Sequence, residues 1–162
     1  MSGTFPERTV ATVRRTIAAP PEDVWSVLAD GWSFAVWVVG ACRVRNVDPD
    51  WPDPGEAIHH SFGIWPALVN DDTVVVSAEP ARELVLRAKA WPAGEAVVRL
   101  ELTPDGPGAT LVTIQEDATA GPVLLLPAPL RRLALHPRNV ETLRRLAFLA
   151  EGRHRERLQR RP

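Results

Sequence analysis

Cysteine is almost missing from this sequence. Cys42 stands alone, which excludes an internal disulfide framework and any cysteine-rich metal site. Lysine is as scarce, with only Lys89, while arginine, alanine and proline are abundant, a usage associated with GC-rich bacterial coding. No apolar run is long enough to span a bilayer, and no charged-then-apolar leader opens the chain. These absences lead to the expectation of a soluble, cytoplasmic protein. Excess charge is missing too: a net charge of −1 makes the body no attractor for nucleic acid. There is no Ser-His-Asp spacing, nucleophile elbow, phosphate-cradling glycine loop or nucleotide fingerprint. No cofactor is implied, and nothing declares a catalytic machine.

What is present fits one domain. The 162 residues can bury roughly 70% of the surface that the unfolded chain exposes. Residues 1–8 read as a flexible leader, 9–152 as a single domain, and 153–162 as a basic helix end and tail. That tail, "RHRERLQRRP", holds five arginines; it suits a solvated helix C-terminus, where cations complement the macrodipole.

Alternation marks a strand at 10–18. "APPEDVWSVLAD" (19–30) signals a helix, with prolines at its entry and Glu22 and Asp23 in its first turn. A short apolar element, 31–40, follows, then a strand at 41–47. The Asp-, Pro- and Gly-rich segment 48–55 is a loop. Strand-like runs cover 56–64, about 68–79, 83–91, 95–104 and 109–117, with an Asp-Gly hairpin turn in 103–110. The segment 121–135 carries three prolines and reads as broken helix or loop. A long helix over 136–157 starts near Pro137, with Val140, Leu143, Leu146, Ala147 and Ala150 on one stripe. Hairpin succession implies an antiparallel sheet, and the amphipathic helix is its natural cover.

This order, with "IAAPPEDVWSVLAD" (17–30), "FAVWVVGACRVRNVD" (34–48), "GEAIHHSFGIWP" (55–66), "EPARELVLRAKAWP" (79–92), "ATLVTIQED" (109–117) and "HPRNVETLRRLAFLAEG" (136–152), resembles the SRPBCC or START-like superfamily. That is the polyketide cyclase/dehydrase and lipid-transport group; the last motif resembles a variant seen in actinobacterial members. The resemblance implies an α+β helix-grip fold: a curved antiparallel sheet wrapped around a long C-terminal helix, with two short helices after the first strand and a deep cavity between. It does not imply one activity, since members include lipid carriers, aromatase/cyclases, hydrolases and receptors.

Strand parity then sorts the wall residues, because side chains alternate faces. His60 shares parity with Ile58 and Phe62 and is expected to point inward, with His59 outward. One strand cannot aim both at one metal, and no metal site is expected. Leu84 and Leu86, Val98 and Leu100, and Val112 and Ile114 form the inward sets of three further strands. Glu116 shares the parity of Val112 and Ile114; a carboxylate there must be paired or sit at a wet rim. The resemblance implies a place for Trp37 too, since the short helix before it borders the cavity mouth in similar proteins. Asn139 falls on the stripe of the long helix, either reaching the cavity or making a local hydrogen bond. Trp25 reads as core, Trp65 as a turn residue, and Cys42, in register with Val44, as a small core residue.

The expected function is binding of a hydrophobic or aromatic small molecule, lipid- or polyketide-like, in this cavity. Two alternatives stand beside it. One is a cyclase/aromatase-type enzyme in which His60 and Glu116 move protons. The other is a lipid or quinone carrier, with 121–135 as lid or contact surface; membrane contact has no further support in the sequence. Monomer and homodimer remain equally open.

Overall fold

The computed structural model describes residues 11–90 and 94–160; residues 1–10, which include the expected leader, lie outside them. Among the described residues the order is β1 (Ala11–Ile17), α1 (Pro21–Leu28), a 3-10 turn (Gly31–Ser33), α2 (Phe34–Trp37) and β2 (Ala41–Val47). Then come β3 (Ala57–Ile64), β4 (Ala67–Glu79), β5 (Glu83–Ala90), β6 (Gly94–Pro104), β7 (Thr110–Ala120), a second 3-10 turn (Pro122–Leu125) and α3 (Ala128–Gln159). The strands form one antiparallel sheet in the order β1-β7-β6-β5-β4-β3-β2. α3 packs against β1, α1 and α2. This is the α+β helix-grip architecture.

Alternation built the sheet's inner face. Leu84 and Leu86 of β5, Val98, Leu100 and Leu102 of β6, and Val112 and Ile114 of β7 are buried. They meet Leu143, Leu146, Ala147 and Ala150 of α3, with Ile17, Val24, Val27 and Leu28 completing the cluster. Fully burying a leucine contributes about 1.5–3 kcal/mol, so Leu143 and Leu146, both at 0% exposure, tie helix to sheet. The β6–β7 hairpin turns through Gly106 and Gly108, both at positive φ, where glycine carries no steric penalty.

Four sequence expectations change. α3 begins at Ala128 rather than near 136, so much of the proline-rich segment is helical. Pro127 is the N-cap residue and Pro129 falls in the first turn, where a missing N–H costs nothing. Pro137 therefore lies inside the helix, where such a residue costs about 3 kcal/mol in isolation. Val140 is exposed; Asn139 and Thr142 fill the buried stripe at that level. Cys42 is exposed, its thiol donating to the Ser61 carbonyl at 3.2 Å. β2 is an edge strand whose pairing with β3 shifts register twice, and the first shift, between Ala41 and Arg43, breaks the parity rule that placed Cys42 with Val44.

The arginine-rich end of α3 is docked rather than merely solvated. Arg153 donates to the Ser26 carbonyl and pairs with Asp30. His154 and Arg157 both reach Asp23 Oδ2, at 2.6 and 2.7 Å. Asp23 lies in the first turn of α1 and is itself buried.

Candidate functional site

A partly open cavity lies between the sheet and the two helices α2 and α3. β5, β6 and β7 supply Leu86, Ala88, Val98, Leu100 and Ile114 as its aliphatic floor. Phe34, Trp37 and Val38 close one side from α2 and its exit, and Phe62 of β3 joins them. Gly40 makes that approach possible: at φ +98° it turns the chain from α2 into β2, and a Cβ there would run into the Phe62 ring. About 80 Å³ is open to the centres of water-sized molecules, several times the roughly 10–15 Å³ that one water needs.

Polar groups enter from Thr73 of β4, Lys89 of β5, Glu116 of β7 and Arg138 and Thr142 of α3; Lys89 is exposed. Glu116 is 4% exposed. β7 continues beyond it to Ala120, so it is not a rim residue in water. Its burial is offset by partners: Arg138 Nη2 donates to both carboxylate oxygens, at 2.9 and 2.7 Å, and Asn139 Nδ2 donates to Oε2 at 3.0 Å. Arg138 Nε reaches Asn139 Oδ1 at 3.4 Å. The three side chains form one knot, satisfying the requirement that a buried charge be paired.

His60 is fully buried, one layer behind the cavity wall. Its ring stacks on Phe34 (centroids 5.2 Å apart, 29° between planes) and meets the edge of Phe62 at 5.2 Å. Nε2 is 2.9 Å from Thr73 Oγ1, and Nδ1 has no partner among the described residues. A proton on Nε2 leaves Nδ1 a bare lone pair instead of an orphaned donor, the less costly arrangement. Burial holds the pKa of His60 below its ordinary value, against the pull of Asp71 and Asp72, so the ring is neutral at neutral pH.

His59 faces the other side of the sheet. Nδ1 lies 2.7 Å from Asp72 Oδ1 and Nε2 lies 3.1 Å from Asp48 Oδ1. The Asp72 hydrogen bond raises its pKa most, desolvation opposes it, and Asp48 adds to the rise. No cluster of three or more His, Cys, Asp and Glu groups poised for a metal occurs among the described residues.

Of the residues singled out from sequence, the cavity collects Trp37, Phe62, Leu86, Val98, Leu100, Ile114 and Glu116 on its wall. Ile58, His60, Leu84, Val112 and Asn139 are buried behind that wall instead. His60 and Glu116 share no hydrogen bond: one is held by Thr73, the other by Arg138 and Asn139. Sequence reasoning missed Phe34, Thr73, Thr142 and, above all, Arg138. The signal for Arg138 was its position one turn before Thr142 on the cavity side of a stripe already assigned to the core.

The geometry is that of a known family. The family model described as polyketide cyclase/dehydrase and lipid transport matches residues 8–151. The chain belongs to this family. Solved structures share its fold at low identity. A protein from Rhodobacter sphaeroides is 23% identical with a TM-score of 0.68, covering 92% of this chain and 97% of its own. Protein CV1439 from Chromobacterium violaceum is 20% identical with a TM-score of 0.66, covering 88% and 98%. The di-domain ARO/CYC StfQ of the steffimycin biosynthetic pathway is 14% identical with a TM-score of 0.68; the match covers 90% of this chain and 52% of that longer one. No curated protein matches the chain by sequence. No helix among the described residues is long and apolar enough to cross a membrane.

Proposed function

We propose that the protein binds a small hydrophobic molecule with an aromatic or otherwise ring-like body in the cavity between sheet and α3. The observation that carries this is the wall: aliphatic on the sheet side, aromatic on the α2 side, with a few convergent polar groups and an open mouth. Ligand sites are built this way. The modest volume favours a ring system over a full acyl chain, and Phe34, Trp37 and Phe62 offer faces and edges for ring contacts. The family and the StfQ likeness support the same class of ligand. The proton-moving pair His60 and Glu116 draws no support from the geometry, since the first is sealed behind two phenylalanines and the second has both oxygens occupied.

Native mass spectrometry of freshly purified protein tests the proposal by looking for a retained small molecule. Titration with an environment-sensitive apolar dye gives a second readout. Saturable binding is expected, and Ala88→Phe, which puts a ring into the cavity, should weaken it by about tenfold or more. Dye binding that never saturates, or that Ala88→Phe leaves unchanged, would place any affinity elsewhere on the surface.

A further inference from the structure

The Glu116–Arg138–Asn139 knot has an asymmetry. Each carboxylate oxygen of Glu116 already accepts a hydrogen bond. Arg138, by contrast, spends Nη2 and Nε on its neighbours and leaves Nη1, with two N–H groups, without a protein acceptor among the described residues. Arg138 lines the cavity and is about one-third exposed. Thr73 presents a second donor, because with the His60 proton on Nε2 the threonine oxygen accepts and its own hydrogen remains to give. The Thr142 hydroxyl, which accepts from the Val39 N–H, keeps its hydrogen as well. The Trp37 indole N–H lacks an acceptor among the described residues but is sealed from the open space; of the buried side's donors, Arg138 alone carries a charge. The free polar capacity of this wall is therefore mainly donor capacity, since Glu116 Oε1 accepts one hydrogen bond and Oε2 two.

Charge narrows the chemistry further. The guanidinium is offset by the Glu116 carboxylate, 2.7 Å away, while the other lining cation, Lys89, is exposed and its charge is screened by water. An anionic ligand head on Nη1 would gain the cation and meet the repulsion of the nearby carboxylate. A neutral acceptor oxygen gains a charge-assisted hydrogen bond and meets no such repulsion. From this we infer that Arg138, held in place by Glu116 and Asn139, is the specificity-determining anchor of the cavity, and that it selects a neutral carbonyl oxygen on an apolar ligand over a carboxylate. Glu116 is a positioning and charge-screening residue. This inference rests on the cavity being a ligand site.

Three ring compounds of nearly equal shape separate the cases: acetophenone, ethylbenzene and benzoate, each titrated into the full chain by NMR. In a purely greasy pocket the hydrocarbon wins. With the anchor, acetophenone should bind at least as tightly as ethylbenzene, and benzoate more weakly. Arg138→Met should shift the ketone-to-hydrocarbon ratio about tenfold or more toward ethylbenzene, the range for losing a hydrogen bond to a charged group. Glu116→Gln should shift the benzoate-to-ketone ratio in the opposite sense, toward benzoate. If Arg138→Met does not fold, the wild-type protein still decides the matter through infrared spectroscopy: the carbonyl stretch of bound acetophenone should fall below its value in alkane solvent. An unshifted stretch, a ratio indifferent to Arg138→Met, or benzoate preferred by the wild type would overturn the anchor. In those cases ethylbenzene binding leaves the ligand-site proposal standing. Failure of all three compounds to bind would overturn both.

Discussion

Both ring nitrogens of His59 face carboxylate oxygens. A neutral imidazole has one N–H to give, so only the imidazolium satisfies both contacts, in agreement with its raised pKa. Its sequence neighbour is pushed the other way by burial. The two therefore bear oppositely on stability. The His59 contribution is complete below the unfolded value of about 6.5 and is lost as pH rises through the higher folded value. His60 resists protonation in the fold, so its penalty sets in as pH falls below about 6.5 and is complete below the lower folded value. Long-range 15N–1H NMR spectra across pH 4.5–9 should show His59 titrating above a free histidine and His60 below it. His59→Gln should destabilise the protein more at pH 6 than at pH 9; a deficit that grew with pH would contradict the two-carboxylate clamp. Parity alone distinguished the two residues in the sequence, because β3 alternates regularly. What parity could not show is that the His60 ring ends one layer short of the cavity, since that depends on Phe34, an aromatic from another element.

At the level of elements, α3 is the piece whose length sequence reasoning misjudged. Pro122, Pro127 and Pro129 read as interruptions and Pro137 as the helix start, yet Pro127 and Pro129 occupy the start of the helix, where proline is tolerated, and Pro137 lies inside it. Its far end was legible as basic, but the partners were not. Asp23 reads as a first-turn acid in α1, and only the antiparallel meeting of α1 with α3 brings it under His154 and Arg157. Asp23→Ala removes an acceptor shared by two donors from a buried position. A loss of about 2 kcal/mol is expected, or roughly 4–8 °C in Tm, measured by calorimetry. Asp23→Asn should recover part of it; a Tm unchanged in both variants would show the clasp to be only a surface ion pair.

For the molecule as a whole, fold and site were not equally readable. The sheet, its antiparallel order and the helical cover followed from periodicity and turn chemistry, signals that each lie within a few residues. Alternation was as local a signal for the apolar wall: it assigned Leu86, Val98, Leu100 and Ile114 to one face, and all four line the cavity. The polar corner was readable only in pieces: parity put Glu116 on the inner face and the helix stripe marked Asn139, but Arg138 was missed, because the three come from β7 and α3 and no local pattern records that a carboxylate on one meets a guanidinium on the other.

The pairing of β1 with β7 carries a consequence for the time course of folding. Strands β2 to β7 follow one another around the sheet, so each ladder closes over a short hairpin or loop. β1 instead pairs with the last strand, Ala11 opposite Glu116, closing a loop on the order of 100 residues whose entropy cost must be met before any contact rewards it. The local meander can nucleate alone, while β1, with the helix that follows it, docks afterwards and completes the surface on which α3 rests. Val13→Ala, in β1, should therefore accelerate unfolding and leave the refolding rate nearly unchanged in stopped-flow chevrons, whereas Leu100→Ala in β6 should slow refolding. A refolding rate equally sensitive to both would mean that the first strand is already in place when the barrier is crossed.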